Sequence, residues 1–425
     1  MKTRLLLACA VFCLPPLAEA RADAICDGIW HWIDVGGTEC LDGTQTGFEY
    51  VCFPNLGHEG PLLIYLEGGG ACGWDSGQSC TCNNEAPGVG CWNSNGNLGT
   101  NHYDKSFSCD GEAYSTCLNL LDPEGANTGT YAAFNGPTSA FNNVQSASST
   151  SSGANWNTIH IPYCTGDVHA GNAIHVFALS STQTLTAHFK GFRNVGLDLE
   201  KVTSLFKPSR VALWGDSAGA VGVDCNLKRI VETFPQTQFS FSNSDGPIRY
   251  KYDPLLNTAG LTWGAAAVAD GVTVGVTCPL LDGAQGWDNF SIKLYNKQAF
   301  PAVRQASTED YSDSVVNGFA TFLGCTGSGA CGLSCDVEPC NSINDLIPEL
   351  ADNPNNKFYY HPGICHVEVE TDISGDDPEC AVVGGTNICT DCNYDSMTRD
   401  GVMFRDWVRG WIGVPGFSRY WRDVK

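Results

Sequence analysis

Arg210-Val211-Ala212-Leu213-Trp214 is an apolar run that passes directly into Gly215-Asp216-Ser217-Ala218-Gly219, and a helical pattern follows. A serine between two glycines, at a turn from strand to helix, is the arrangement that exposes a hydroxyl for attack on an acyl carbon. The turn is tight enough that a side chain at either glycine would meet the neighbouring strand or helix. Such a nucleophile needs backbone N–H groups aimed at the oxyanion it creates. Ala218, the residue after the serine, supplies one. Leu66-Glu67-Gly68-Gly69-Gly70-Ala71 stands immediately after another buried-strand pattern and offers Gly69 and Gly70 for the rest, because glycines let amides face a substrate with no Cβ in the way.

A base and an orienting acid should follow the serine in chain order. Downstream of Ser217 there are two histidines, His361 and His366. His361 adjoins the strand-like Lys357–Tyr360, whereas His366 lies on the loop beyond it, where a catalytic imidazole is expected, so His366 is the chosen base. For the acid, the apolar run Ala302–Ala306 ends in Ser307-Thr308-Glu309-Asp310-Tyr311-Ser312-Asp313. Asp310 is preferred as closer to the strand end, with Asp313 as the alternative and Asp245, after the strand that follows the elbow helix, a third candidate. An acid there fixes the imidazole tautomer and stabilises its cation.

No metal or other cofactor is expected. There is no His-Glu-x2-His or His-x3-His, and Cys80-Thr81-Cys82 and Cys389-Thr390-Asp391-Cys392 are read as disulfide cysteines rather than zinc ligands. The acidic run Asp372–Asp377 matches no EF-hand spacing and reads as a solvated turn.

The elements that must position these groups follow from periodicity. Pro61–Glu67 is a continuous apolar run, the form of a strand buried on both faces of a parallel sheet. Further strand-like runs are Gly47–Phe53, Thr158–Tyr163, Arg210–Trp214, Phe239–Asn243, Ala302–Ala306 and Lys357–Tyr360. Leu197–Phe206, Ala218–Phe234 and Met397–Ile412 carry helical spacing, with Trp407 and Trp411 on one face of the last. The alternation predicts an α/β fold, an α/β-hydrolase-like, mostly parallel sheet flanked by helices. Residues 71–155, rich in Gly, Asn, Ser and Cys, read as a disulfide-pinned lid inserted into a single domain over 21–425.

The chain has 425 residues, 22 of them Cys, with 46 acidic against 23 basic side chains and a formal charge of −23. That charge repels phosphate backbones, which argues against nucleic-acid binding. Lys2 and Arg4, the apolar Leu5–Leu14 and the small-residue site Ala18-Glu19-Ala20 read as an export signal over residues 1–20. Its removal takes away Cys9 and Cys13 and leaves an even number of cysteines for an oxidising compartment. The expectation is a secreted (extracellular or periplasmic) monomer without a transmembrane segment.

These motifs are similar to those of the pectin acetylesterase family, which includes the animal Notum-type carboxylesterases. The similarity runs through Cys40-Leu41-Asp42-Gly43, Leu66–Cys72, Pro162-Tyr163-Cys164-Thr165-Gly166-Asp167, His188-Phe189-Lys190-Gly191 and Gly215–Gly219. The resemblance implies a Ser-Asp-His triad on an α/β-hydrolase-like fold with no cofactor, its nucleophile on Ser217, its oxyanion amides on Gly69, Gly70 and Ala218, its base on His366 and its acid on Asp310. Asp216 stands where plant members carry Cys, Gly219-Ala220 where they carry Gly-Gly, and Ala71 where an aromatic is usual. The expected substrate is an acetylated cell-wall polysaccharide, pectin or hemicellulose. A lipid or longer-chain acyl ester is the alternative, as is a non-catalytic sugar-binding protein using Trp74, Trp92 and Trp156.

Overall fold

A computed structural model of the chain describes residues 24–41, 43–68, 71–73, 90–92, 156–178, 184–237, 239–245, 260–269, 272–282, 284, 286–310, 348–350, 352–361, 382–383, 386–387, 398–412 and 416–424. Its centre is an eight-stranded sheet: β1 (Trp30–Asp34), β2 (Gly47–Val51), β3 (Leu62–Leu66), β4 (Asn157–Ile161), β5 (Arg210–Asp216), β6 (Phe239–Asp245), β7 (Arg304–Asp310) and β8 (Asn356–His361). They lie in the spatial order β1-β2-β4-β3-β5-β6-β7-β8. The β1–β2 and β2–β4 pairings are antiparallel, and every pairing from β4 through to β8 is parallel. The sheet is therefore mixed, and with its helices the fold is α/β.

Helix α1 (Gly191–Leu205) precedes β5, and α2 (Ala218–Thr233) follows it. Helix α3 (Asn289–Ala299) leads into β7, and α4 (Phe404–Trp411) lies near the end of the chain. Parallel strands need such crossovers, and helices on both faces explain the unbroken apolar runs. Along β3, Leu62, Ile64 and Leu66 enter a core with Val195, Leu199 and Val202 of α1 and Val223 and Ile230 of α2. The alternate residues Leu63 and Tyr65 turn to the opposite face, where they join Trp214, Trp407, Val408 and Trp411. Each such aliphatic side chain contributes about 1.5–3 kcal/mol when fully buried. Trp407 and Trp411 do share a face of α4, and Trp411 packs edge-on against Trp214 at 5.4 Å.

Three boundaries differ from the sequence reading. Helix α1 begins at Gly191, six residues before the expected start, because Asp167 caps it from another segment: the Gly191 amide donates to its carboxylate at 2.8 Å. The final helix is only Phe404–Trp411, since Thr398–Arg399 and Val402–Met403 form a short hairpin ahead of it. Its turn residues Asp400 (φ 50°) and Gly401 (φ 72°) are the left-handed pair a two-residue hairpin requires. Strand β7 is displaced towards the C-terminus relative to Ala302–Ala306 and carries Asp310 at its last position.

Among the described residues, three disulfides join Cys26 to Cys52, Cys40 to Cys164 and Cys225 to Cys278. His58 approaches Cys26 Sγ to 3.8 Å, but that sulfur is already bonded to Cys52. No helix among the described residues is long and apolar enough to cross a membrane. The predicted leader over 1–20 lies outside the described residues, as does most of the predicted lid. Within that lid, Ala71–Gly73 and Gly90–Trp92 pair as short antiparallel strands.

Candidate functional site

Ser217 is the single residue between the end of β5 and the start of α2, and its backbone has φ 48° and ψ −116°. A non-glycine residue in this region is strained, and the strain is the signature of a turn that lifts a side chain clear of both elements. The Ser217 side chain makes no capping hydrogen bond to α2. Its helical partnership is through the carbonyl, which accepts from the Ala220 amide at 3.0 Å.

Both flanking glycines are required by contact rather than by φ. A Cβ on Gly215 would overlap the Gly219 carbonyl and come within 2.9 Å of Val223 Cγ2, on the elbow helix. A Cβ on Gly219 would overlap the Leu66 carbonyl and lie 2.9 Å from the Glu67 oxygen, at the end of β3. The elbow is therefore pressed onto the start of the Gly-rich loop. Gly68 closes the contact from the other side: a Cβ there would stand 2.8 Å from both the backbone oxygen and Oδ2 of Asp216. Ala218, the predicted amide donor after the serine, is buried at the same junction. Gly69 and Gly70 lie outside the described residues.

Asp216, the last residue of β5, accepts a 2.7 Å hydrogen bond from the Tyr65 hydroxyl. Beside it runs a row of buried ionisable side chains on one face of β2, β4 and β3. His160 Nδ1 lies 3.4 Å from Glu49 Oε2, and its Nε2 lies 3.9 Å from Glu67 Oε2. Burial alone would push the His160 imidazole down; the Glu49 hydrogen bond, with the charges of Glu67, Glu49 and Asp216, outweighs it and holds the group above its ordinary value. Glu67 Oε2 also accepts from the Tyr163 amide at 2.8 Å.

A second cluster occupies the segment after β4. Asp167 is fully buried and accepts from Thr165 Oγ1 at 2.6 Å and from Gly191 N at 2.8 Å. Burial pushes its carboxyl up to about 6, against the lowering effect of those donors. His169 is buried too, and burial pushes it down to about 4, so it is neutral at pH 7; its Nε2 lies 2.9 Å from the Glu67 carbonyl, which assigns the proton to that nitrogen. Residue spacing could not reveal these two groups, because the chain-order rule directs attention only to histidines after the serine. Their signal is the left-handed run Gly166 (φ 66°), Val168 (φ 51°) and His169 (φ 56°), which belongs to the folded backbone.

Of the predicted acids, Asp310 and Asp245 each end a strand, β7 and β6. In the β7–β8 ladder Asp310 stands opposite His361, and in the β5–β6 ladder Asp245 stands opposite Asp216. The backbone thus brings both acids and His361 to the same edge of the sheet as Ser217. Asp313 and His366 lie outside the described residues.

A strained serine on a strand-to-helix turn, pressed onto a glycine-rich strand end, is suited to acyl transfer. No curated protein is significantly similar to this chain. A family model described as Pectinacetylesterase matches residues 132–245, a span that runs from before β4 through α1, the elbow and α2 to the last residue of β6. It includes Ser217 and stops before Asp310. Over that span the chain is similar to the pectinacetylesterase family, a likeness that points to carboxylic ester hydrolysis as the class of chemistry.

Proposed function

We propose that the protein is a secreted serine carboxylester hydrolase that deacetylates plant cell-wall polysaccharide, on an α/β-hydrolase-like fold. The observation that carries this reading is Ser217 at φ 48° on the β5–α2 turn, packed by glycine contacts onto the end of β3. Ser217 Oγ attacks the acetyl carbonyl while His366 takes its proton. Asp310 holds the imidazolium, and the amides of Gly69, Gly70 and Ala218 receive the oxyanion. The protonated histidine then releases the sugar hydroxyl. Water, activated by the same imidazole, cleaves the acetyl-enzyme. No cofactor enters these steps. The disulfides fit export to an oxidising compartment.

Initial rates on p-nitrophenyl acetate, butyrate and octanoate, with Ser217→Ala in parallel, test this. Hydrolysis fastest on acetate and reduced at least about 10³-fold in the variant is the expected result. A steep rise with chain length overturns the acetyl specificity in favour of lipid deacylation. Turnover equal in wild type and variant overturns the serine mechanism, and oligosaccharide binding unaffected by the substitution and without turnover leaves a sugar-binding protein.

A further inference from the structure

We infer that Tyr65 is a positioning residue for the nucleophile, acting through Asp216, an inference that rests on the reading of Ser217 as the attacking serine. The β3–β5 ladder ends at Leu66 opposite Gly215. Asp216 and Ser217 lie past that last pair, where β5 gives way to α2. There the Tyr65 hydroxyl donates to Asp216 Oδ1 at 2.7 Å, so a side chain of β3 grips the residue directly before the serine. Both side chains are buried. A hydrogen bond to a carboxylate is roughly twice as strong as one between neutral groups, which makes this a firm tie. The second carboxylate oxygen is confined as well, since a Cβ on Gly68 would stand 2.8 Å from Asp216 Oδ2.

Tyr65 is in turn held from its flank. Its ring centroid lies 5.6 Å from that of His160, and His160 reaches Glu49 Oε2 at 3.4 Å and Glu67 Oε2 at 3.9 Å. A chain of buried contacts thus runs from β2 through β4 and β3 to the last residue of β5. The β5–β6 ladder holds the Asp216 backbone opposite Asp245, while the carboxylate ties the same residue to β3. Together they set the direction in which the chain enters Ser217. That direction matters because Ser217 sits at φ 48°, a conformation that persists only where the surroundings over-determine it. On the helix side the constraint is Gly219, where a Cβ would overlap the Leu66 carbonyl. On the strand side it is the bond from Tyr65.

A misaligned serine leaves substrate binding as it was but reaches the attacking geometry less often, so the loss falls on kcat rather than KM. The test compares both constants on p-nitrophenyl acetate for wild type, Tyr65→Phe, Asp216→Ala, Asp216→Asn, the double variant Tyr65→Phe/Asp216→Ala, and Ser217→Ala. Tm is recorded for each, and all are assayed below the lowest of them. Phenylalanine keeps the ring against His160 and removes only the donor, whereas asparagine keeps an oxygen that accepts from Tyr65. The expected result is a kcat about 10-fold lower in Tyr65→Phe with KM within about twofold, and at least as large a loss in Asp216→Ala. Asp216→Asn should recover most of that loss, and adding Tyr65→Phe to Asp216→Ala should cost nothing further, because the two side chains act as one unit. Wild-type kcat in Tyr65→Phe overturns the inference whatever its Tm. So do a loss carried by KM, equal losses in the alanine and asparagine variants, and additive losses in the double variant. Unchanged turnover in Ser217→Ala overturns the underlying serine reading instead, whatever Tyr65 does.

Discussion

At Ser217 the backbone conformation itself is measurable as stability. Ser217 has φ 48°, and a non-glycine residue in this region costs about 1–3 kcal/mol. Ser217→Ala keeps the Cβ and should keep the strain. Ser217→Gly removes it, and glycine occupies positive φ freely. The glycine variant is therefore expected to melt above the alanine variant by on the order of 1–3 °C, with both inactive, in calorimetric scans at matched pH. A glycine variant melting at or below the alanine variant would show that the elbow stores no strain. The same locality made the strand-to-helix turn at Ser217 legible in sequence: serine, both glycines and the preceding apolar strand lie within ten consecutive residues. His169 was not legible, since its meaning depends on an acceptor 102 positions away and on a backbone sign that no residue type announces.

Elements behave likewise. Strands β3 and β5 were readable because each carries its burial in its own apolar run, Leu62–Leu66 and Val211–Trp214. Edge strand β1, half exposed at Trp30–Ile33, was not. Helix α1 shows how a boundary escapes local reading, for its N-terminus is satisfied by Asp167 across 24 positions. The Asp400-Gly401 turn, by contrast, is a local hairpin signal that interrupts the helical spacing read over Met397–Ile412. The segment carrying Asp167 and His169 makes opposing contributions to stability. Asp167 is raised from 3.8 to about 6, so its contribution is complete at low pH and is lost as pH rises through about 6. His169 is lowered from 6.5 to about 4, so its contribution is complete above 6.5 and is lost as pH falls towards 4. Between about pH 4 and 6.5 the two slopes oppose, each on the order of 3 kcal/mol across its window. Asp167→Asn removes one of them, and its Tm should then climb with pH relative to wild type over that interval. Parallel Tm curves for the two proteins would exclude a buried, titrating Asp167.

For the whole molecule, a formal charge of −23 decides how it meets its substrate. Acetylated polygalacturonate is a polyanion, while acetylated xylan or mannan backbones are close to neutral. At about 10 mM salt charges interact over roughly 30 Å, far enough for the protein's net field to reach an approaching pectin chain; at about 150 mM the range falls to roughly 8 Å. Repulsion should therefore depress kcat/KM on acetylated pectin at low salt and release it as salt is added, by roughly threefold or more, and should leave acetylxylan unaffected. Acetate release from both polymers across that salt range checks the expectation. The ratio of the two salt responses carries the information, because effects of salt on the enzyme itself cancel in it. A pectin rate that falls with salt would mean that basic side chains at the substrate approach outweigh the net charge, and would favour pectin as the polymer this surface is built to receive. A rise confined to pectin would instead favour the neutral hemicelluloses, since an enzyme working on them carries its acidic surface at no kinetic cost.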